Sequence, residues 1–453
     1  MSIAKKVSDN GQVLESSPWG MNRLQAEARR AAGWTTTALG FTVPLWVVAD
    51  SILLGLLVLC WTISGGWRER LRRVSANPVA VAAIVLFAWL LLGTVWGGGT
   101  VEERAFWVKK YANLLLIPLL ISMVIDAREK NRALLALAAS LAVTLALSFA
   151  LSVGVLPTGG LIHCNPFNPC LLKKQIPCDP SIPCVPANYP PVCDPSNPCI
   201  LKKHTTHNSL MAFGVLLFGI LAWKSSRRWA RWGWAGAACL AVGNVLLMVQ
   251  GRTGYVVLAG LAMVAFHMYF GWRGMVAAVI ALAVTFSIAY QISTSFHDRV
   301  NLVATGVAQW SSQVAAEDPI GQRLEFYYHT VQVIQDHPLM GAGTGGFAQA
   351  YEMYAKQAGV PVPSHPHNQY LLIMAQVGII GLSLLLWLFV QQWRWTSLTG
   401  DATYGLLAKG LVVTIAISCL FQPALNDHTE KLFYCLFSGL LYSGTGSQCD
   451  TRI

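Results

Sequence analysis

Charge is what this chain has least of. Asp, Glu, Lys and Arg make up 12% of its 453 residues, where ordinary soluble domains carry about 25%. With 54% hydrophobic residues arranged in repeated long runs, that deficit excludes a soluble globular fold. It predicts an all-α polytopic membrane protein instead. Acidic residues are scarcer than basic ones, which leaves a net charge of +11. This excess does not predict nucleic acid as a partner. Lys and Arg fall mostly in short turns between apolar runs, where orientation in a membrane accounts for them. The first 33 residues lack a short apolar core followed by a small-residue cleavage site, so they read as a polar cytoplasmic tail and not as a removed signal. Ionisable residues are rare within the runs. His267 and Lys409 fall near inner ends, whereas a transporter places such groups at mid-membrane. No Walker lysine follows the glycine-rich GAGTGGF at 341–347, which argues against a nucleotide loop. A helix-ending turn whose amides touch a pyrophosphate is the better expectation there.

What is present is a succession of apolar runs. Residues 34–64 are interrupted by Pro44 and Asp50. They read as two short spans, roughly 33–48 and 51–64, with Asp50-Ser51 capping the second. Further spans are expected at about 77–97, 107–125, 132–153, 208–223, 233–250, 255–271, 274–293, 367–391, 403–421 and 431–446, about 12 helices in all. The basic turns test this count. With the tail in the cytoplasm, RERLRR, DAREKNR (126–132), KSSRRWAR (224–231), Arg273 and Arg394 all fall inside. Arg104, Lys109, Lys110, Arg252 and Lys431 fall outside, against the rule, and are expected to snorkel to the interface. The organisation predicted is a tail (1–33), a transmembrane bundle (34–293), an outer helical segment (294–366), further transmembrane helices (367–446) and a second tail (447–453).

Two outer segments are long. The first, 154–207, holds six of the 11 cysteines in a repeated Cys-(Asn/Asp)-Pro-x-x-Pro-Cys pattern. Its proline density excludes helix. Paired cysteines in an exported loop predict disulfides, expected within each repeat: Cys164 with Cys170, Cys178 with Cys184, and Cys193 with Cys199. A soft-metal site is the other reading, although the spacing is not that of a zinc finger. The second segment, 294–366, contains an amphipathic helix through Leu324, Tyr327, Tyr328, Val331 and Ile334 that ends at His337-Pro338. The glycine-rich turn and a second amphipathic helix, 347–359, follow. Together they predict a helical cap over the outer face.

The chemistry gathers at HPHNQYLLIMAQVGIIG (365–381), where a loop becomes a membrane-length helix. His367 there is either a helix-terminal group satisfying the backbone or a general base, since imidazole titrates near pH 6.5. His365 with His367 makes a weak metal pair, because no third ligand is obvious. Arg252, in QGRTGYV (250–256), and Arg323, at the start of the first amphipathic helix, are placed to grip a phosphate in a fork. The bland alternatives are an interface anchor or a partner such as Glu325 or Asp318. HTTHNSL (204–210) reads as substrate contact or as capping by Thr205 or Asn208.

His367-Asn368, nine intervening residues, then Gly378-x-x-Gly381 resembles the signature of the bacterial O-antigen ligases, a superfamily shared with O-antigen polymerases and protein O-oligosaccharyltransferases. The order of an outer Arg-Thr-Gly-Tyr turn, a large loop with an arginine, and an H-P-L-x-G-x-G turn (His337 to Gly343) is similar too. The resemblance implies that Arg252, Arg323 and His367 are the functional residues, with Asn368 and His337 on the substrate side. It implies an inner-membrane enzyme facing the periplasm. Such an enzyme moves O-antigen glycan from undecaprenyl pyrophosphate to a sugar hydroxyl of lipid A–core, with inversion and with no metal or other cofactor. An O-antigen polymerase using the same donor is the nearest alternative. The cysteine–proline repeat is not part of the family pattern.

Overall fold

The computed structural model describes residues 23–123, 125–156, 198–199, 202–310, 319–358, 360–396 and 401–444. All the regular elements among the described residues are helices, with no strand among them. In chain order the helices are α1 (Arg23–Thr42), α2 (Val47–Ile63), α3 (Trp67–Ala76), α4 (Pro78–Leu92) and α5 (Val101–Tyr111), which runs through a 3-10 turn into α6 (Leu116–Ser122). They continue with α7 (Ala127–Ser152), α8 (His204–Lys224), α9 (Arg228–Gly243) and α10 (Arg252–Ile292). Helices α11 (Thr294–Gln309), α12 (Pro319–Asp336) and α13 (Phe347–Ala358) occupy the segment before the histidines. The last three are α14 (Gln369–Thr396), α15 (Ala402–Phe421) and α16 (His428–Tyr442).

Every run expected to span finds a helix, but the count of about twelve is not reached by length and hydropathy. Among the described residues six helical segments pass: Val101–Ser122, α7, α8, α10, α14 and α15. The pair α2–α3, bent by 114°, makes a seventh if it is one span. The shortfall has local causes. α4 and α16 stop at 15 residues and α9 at 16. α10 counts once, although Gly271 (φ 61°, ψ −145°) breaks it, so the runs expected at 255–271 and 274–293 lie on its two halves.

Capping decides where several helices begin. The expected span at 107 starts six residues earlier, because Thr100 and Glu103 form a capping box, with reciprocal bonds of 3.2 and 2.8 Å. Asp126 and Glu129 do the same for α7, and the Glu129 carboxylate also accepts both Arg29 Nη groups at 3.3 and 2.9 Å. Asp50 does not cap a span starting at 51, as its sequence neighbours suggested. α2 starts earlier, at Val47, and the buried Asp50 carboxylate accepts from the Thr42 hydroxyl at 2.7 Å and faces His428 Nε2 at 3.2 Å. A carboxylate at zero exposure needs such partners more than the solvated end of a helix needs a cap. Arg104 does not snorkel either. Its guanidinium donates to the carbonyls of Gly99 and Thr94 at 3.0 and 3.1 Å and closes the loop before α5.

One break governs the end of the bundle that carries the histidines. α14 is interrupted at Val377 and Gly378, the latter at φ 67°, ψ −169°. This region of backbone space is essentially open only to glycine. The interruption frees backbone groups inside a buried helix, and each must find another partner. The 338–344 turn supplies most of them. Pro338 O accepts from Ile379 N at 2.9 Å, while the amides of Ala342 and Gly343 donate to Ala375 O and Gln376 O at 2.8 and 2.7 Å. Trp89 Nε1 donates to Val377 O at 3.1 Å. The amide of Thr344 goes to Gly93 O at the end of α4, 2.9 Å away. The glycine-rich turn therefore spends its amides on α14 and α4, and the pyrophosphate contact expected of it does not follow from its geometry. Its tight fit needs Gly343 (φ 86°), where a Cβ would come within 2.2 Å of Gly97 Cα.

Candidate functional site

The loop 360–368 leads into α14, and Asn368 caps that helix. Its Oδ1 accepts from the amides of Tyr370 and Leu371 at 2.9 and 3.1 Å, the ordinary service of an Asn at this position. Gln369 fixes the same turn to the α15–α16 connection by accepting from Leu425 N at 3.0 Å. Tyr370 ties it to α15 itself by donating to Ala416 O at 2.7 Å.

His367, directly before the cap, is the one non-glycine residue with positive φ among the described residues, at 55°. A β-carbon in this left-handed region costs about 1–2 kcal/mol, so the surroundings must hold it there. Phe326 of α12 stacks on the imidazole with centroids 5.9 Å apart and planes 17° from parallel. His365 meets its edge at 4.5 Å, and the His367 amide donates to His365 Nδ1 at 3.3 Å. The ring is half-buried. Burial lowers its pKa to about 4, and the charges of His365, Arg323 and Lys203 act in the same direction, opposed by Asp427. His365 is likewise held down at about 4, by burial first and then by Lys110 and Lys203. At neutral pH both rings are therefore uncharged and able to accept a proton. An anion placed against Arg323 and Lys203 would offset their charge and raise the basicity of His367.

These electrostatic neighbours come from four places in the chain. Arg323 lies in the first turns of α12, half-buried. Neither Glu325 nor any other described carboxylate stands within ion-pair range of it, so the bland reading with Glu325 fails. Asp318 lies outside the described residues. Burial raises the pKa of the Tyr327 phenol, and the Arg323 charge opposes that rise. Lys203 stands at the N-terminus of α8 and Asp427 at that of α16. His365 and Phe326 complete the set. Sequence reading passed over Phe326 and Lys203 as site residues. A stacked aromatic on an amphipathic helix looks like core until its partner is known.

Arg252 is placed differently. It is the first residue of α10, and Asn208 of α8 holds the turn before it by donating to Val249 O and Gly251 O at 3.0 and 2.8 Å. Thus HTTHNSL neither caps α8 by Thr205 or Asn208 nor needs a ligand to account for it. Thr206 donates to the buried Glu430 at 2.5 Å, His207 bonds Asn244 at 2.9 Å, and Asn208 positions Arg252. The N-termini of α8, α10, α12, α14 and α16 share one end of the bundle, so their positive dipole ends add to Lys203, Arg252 and Arg323. His337 stands exposed where α12 ends, and its carbonyl accepts from Gly341 N at 2.9 Å. Its visible role is in the turn.

Five of the loop cysteines, Cys164, Cys170, Cys178, Cys184 and Cys193, lie outside the described residues. Cys199 is fully buried and is not a free thiol. The expected pairings fall outside what is described. Among the described residues no three His, Cys, Asp or Glu side chains cluster in a geometry for a metal.

Fold and site together define a multi-pass helical membrane protein with a neutral histidine and several cations at one end. The family model described as O-antigen ligase matches residues 237–386. This stretch contains Arg252, Arg323, His337, His367, Asn368, Gly378 and Gly381. The match supports the O-antigen ligase family for this chain, whose activities are of the O-antigen ligase or polymerase, glycosyltransferase-like type. No curated protein matches the chain.

Proposed function

We propose that the protein is an O-antigen ligase of the bacterial inner membrane with its site on the periplasmic face. Helices α1, α2, α4, α9 and α16, with the two halves of α10 counted separately, bring the crossings to about twelve, and α11 to α13 form the outer cap. The donor is an O-antigen glycan on undecaprenyl pyrophosphate, and the acceptor is a sugar hydroxyl of lipid A–core. His367 Nε2 or Nδ1 takes the proton from that hydroxyl as its oxygen attacks the anomeric carbon. The bond from that carbon to the pyrophosphate oxygen breaks, with inversion, and the electron pair leaves on the lipid pyrophosphate. Arg323, Lys203 and Arg252 hold this anion and stabilise its growing charge. No metal or nucleotide is needed to make pyrophosphate a leaving group.

The observation that carries this reading is the His367 ring. It is neutral, stacked on Phe326 and held in a strained backbone beside Arg323. Strain of this kind persists where the surroundings over-determine it, and such places are often sites of chemistry. The test is transfer by purified protein with defined donor and lipid A–core in the presence of a chelator. Ligated product that disappears with His367→Ala supports the reading. Elongation of the donor glycan alone would make the protein a polymerase. Loss of transfer on chelation would end the metal-free mechanism.

A further inference from the structure

The transfer chemistry gives the cysteine–proline segment no part, yet its last repeat ends inside the bundle. Pro198 and Cys199 are buried, Cys199 at zero exposure with its sulfur in a disulfide. Two contacts hold them there. The Ser148 hydroxyl, near the end of α7, donates to Pro198 O at 2.5 Å. Cys199 packs against Val249, with Met248 beside it. Ser148 in turn accepts from Asn244 Nδ2 at 2.8 Å, and Asn244 Oδ1 faces His207 Nε2 of α8 at 2.9 Å. Because the Asn244 amide nitrogen donates to Ser148, its oxygen is the acceptor and His207 the donor. Ser148, Asn244 and His207 are all buried, where polar groups need such partners. The segment is therefore anchored to α7, α8 and the turn after α9 at once.

Asn244 opens a π-helical turn, Asn244–Met248, that follows α9, and such turns often mark functional positions. Only Val249, Gln250 and Gly251 separate it from Arg252, the first residue of α10. Val249 is the pivot between them. Its side chain meets Cys199 and its amide donates to Asn244 O at 3.0 Å. Its carbonyl accepts from Gly251 N at 2.8 Å and from Asn208 Nδ2 at 3.0 Å. Gly251 is pressed against Asn208 as well, and a Cβ there would lie 2.7 Å from Asn208 Nδ2. So short and close-packed a turn passes a displacement of Val249 on to Arg252. We propose that the Cys199 plug positions Arg252, so that the thiol–disulfide state of the cysteine–proline segment sets the affinity for the donor's pyrophosphate. This rests on the reading of Arg252 as a pyrophosphate contact. Opening the disulfide takes two electrons from an external dithiol. The sulfur–sulfur bond of Cys199 breaks, a new one forms in the dithiol, and the dithiol's two protons end on the two cysteine sulfurs. Pro198 and Cys199 then keep only a hydrogen bond and apolar contacts, and Val249 loses its fixed neighbour.

The experiment measures binding of undecaprenyl pyrophosphate to the full chain in nanodiscs, before and after dithiothreitol, with thiol labelling to follow the disulfide. The thiols of Cys60, Cys239, Cys419 and Cys435 are free already, so the reductant changes none of them. Ser148→Ala is the second arm. It releases the Pro198 carbonyl and leaves every cysteine in place. Each arm is run in the wild-type and the Arg252→Ala backgrounds. Reduction and, independently, Ser148→Ala should raise the Kd of the Arg252 protein about fivefold or more, and reoxidation should restore it. With Arg252→Ala neither should raise the Kd further, because the effect acts through that side chain. A merely structural staple would weaken binding equally in both backgrounds, and that result overturns the proposal. So does unchanged binding in both arms, or alkylation of Cys199 in unfolded protein that has never met reductant. Failure of the pyrophosphate reading would show separately, as Arg252→Ala protein that binds undecaprenyl pyrophosphate like wild type, and it would take the proposal with it.

Discussion

Replacing Gly378 by alanine should be the most damaging single-methyl change in α14. Three costs combine. The backbone at φ 67°, ψ −169° is a region costing a non-glycine residue about 1–3 kcal/mol. The added Cβ would lie 2.0 Å from Leu339 O and 2.5 Å from Met340 N, both backbone atoms that cannot swing aside. Relieving that clash must push the 338–344 turn outward and stretch the Ile379–Pro338 hydrogen bond of 2.9 Å, worth about 1 kcal/mol. A total of about 3–5 kcal/mol follows, enough to unfold the end of the bundle that presents His367. Two comparisons calibrate it. Gly381 is helical, and its Cβ would meet the Val377 side chain at 2.3 Å, a contact that Val377 can partly relieve. Gly55 meets nothing, so alanine there should be neutral or gain a few tenths of a kcal/mol from helix propensity. The assay is thermal unfolding of purified protein in one detergent, with transfer activity measured on whatever remains folded. The order of stability should be Gly55→Ala above Gly381→Ala above Gly378→Ala. A Gly378→Ala protein as stable and active as wild type would refute the account of the broken helix.

The remaining predictions concern the site and the loop. His367→Ala should lose 10²–10⁴-fold in transfer, the usual worth of a general base, while keeping its melting temperature. His365→Ala should lose far less, and equal losses in the two proteins would contradict the assignment. The pH dependence has a definite sign. Because His367 is held near pKa 4, the free enzyme keeps its base down to about pH 4, so kcat/KM for donor should stay level between pH 7 and 5. Halving near the ordinary histidine value of about 6.5 would refute the burial argument. Stability should show the complementary effect. Unfolded His365 and His367 protonate first as pH falls, so the contribution of these neutral rings is complete above about 6.5 and is lost toward about 4. Arg323→Lys keeps the charge but loses the planar fork, and should still lower activity. Wild-type transfer by this variant would reduce Arg323 to a point charge. A thiol reagent applied to native protein should miss the six loop cysteines until reductant is added, and full labelling without reductant would exclude their pairing.

The chain's own pattern determined the class of this protein. A deficit of charge and long apolar runs leave a membrane as the only solvent in which such a sequence can hide its surface, and each run did become a helix. The helix ends at His337-Pro338 and Ala358 were legible from proline, glycine and periodicity, because those residues act on their own backbone. So was the junction at His367, from a histidine set against a long apolar run. Tertiary structure decided what long-range partners decide. Asp50 looked like a cap and became the partner of Thr42 and His428, from opposite ends of the chain. The GAGTGG turn looked like an anion cradle and became a splice for a broken helix, since only the fold puts Gly378 beside Leu339. The low pKa of His367 was illegible for the same reason. It is set by burial, by His365 beside it, by Arg323 on α12 and by Lys203 at the end of α8, against the opposing charge of Asp427 at the end of α16, and no spacing in one dimension reports how a bundle brings those ends together.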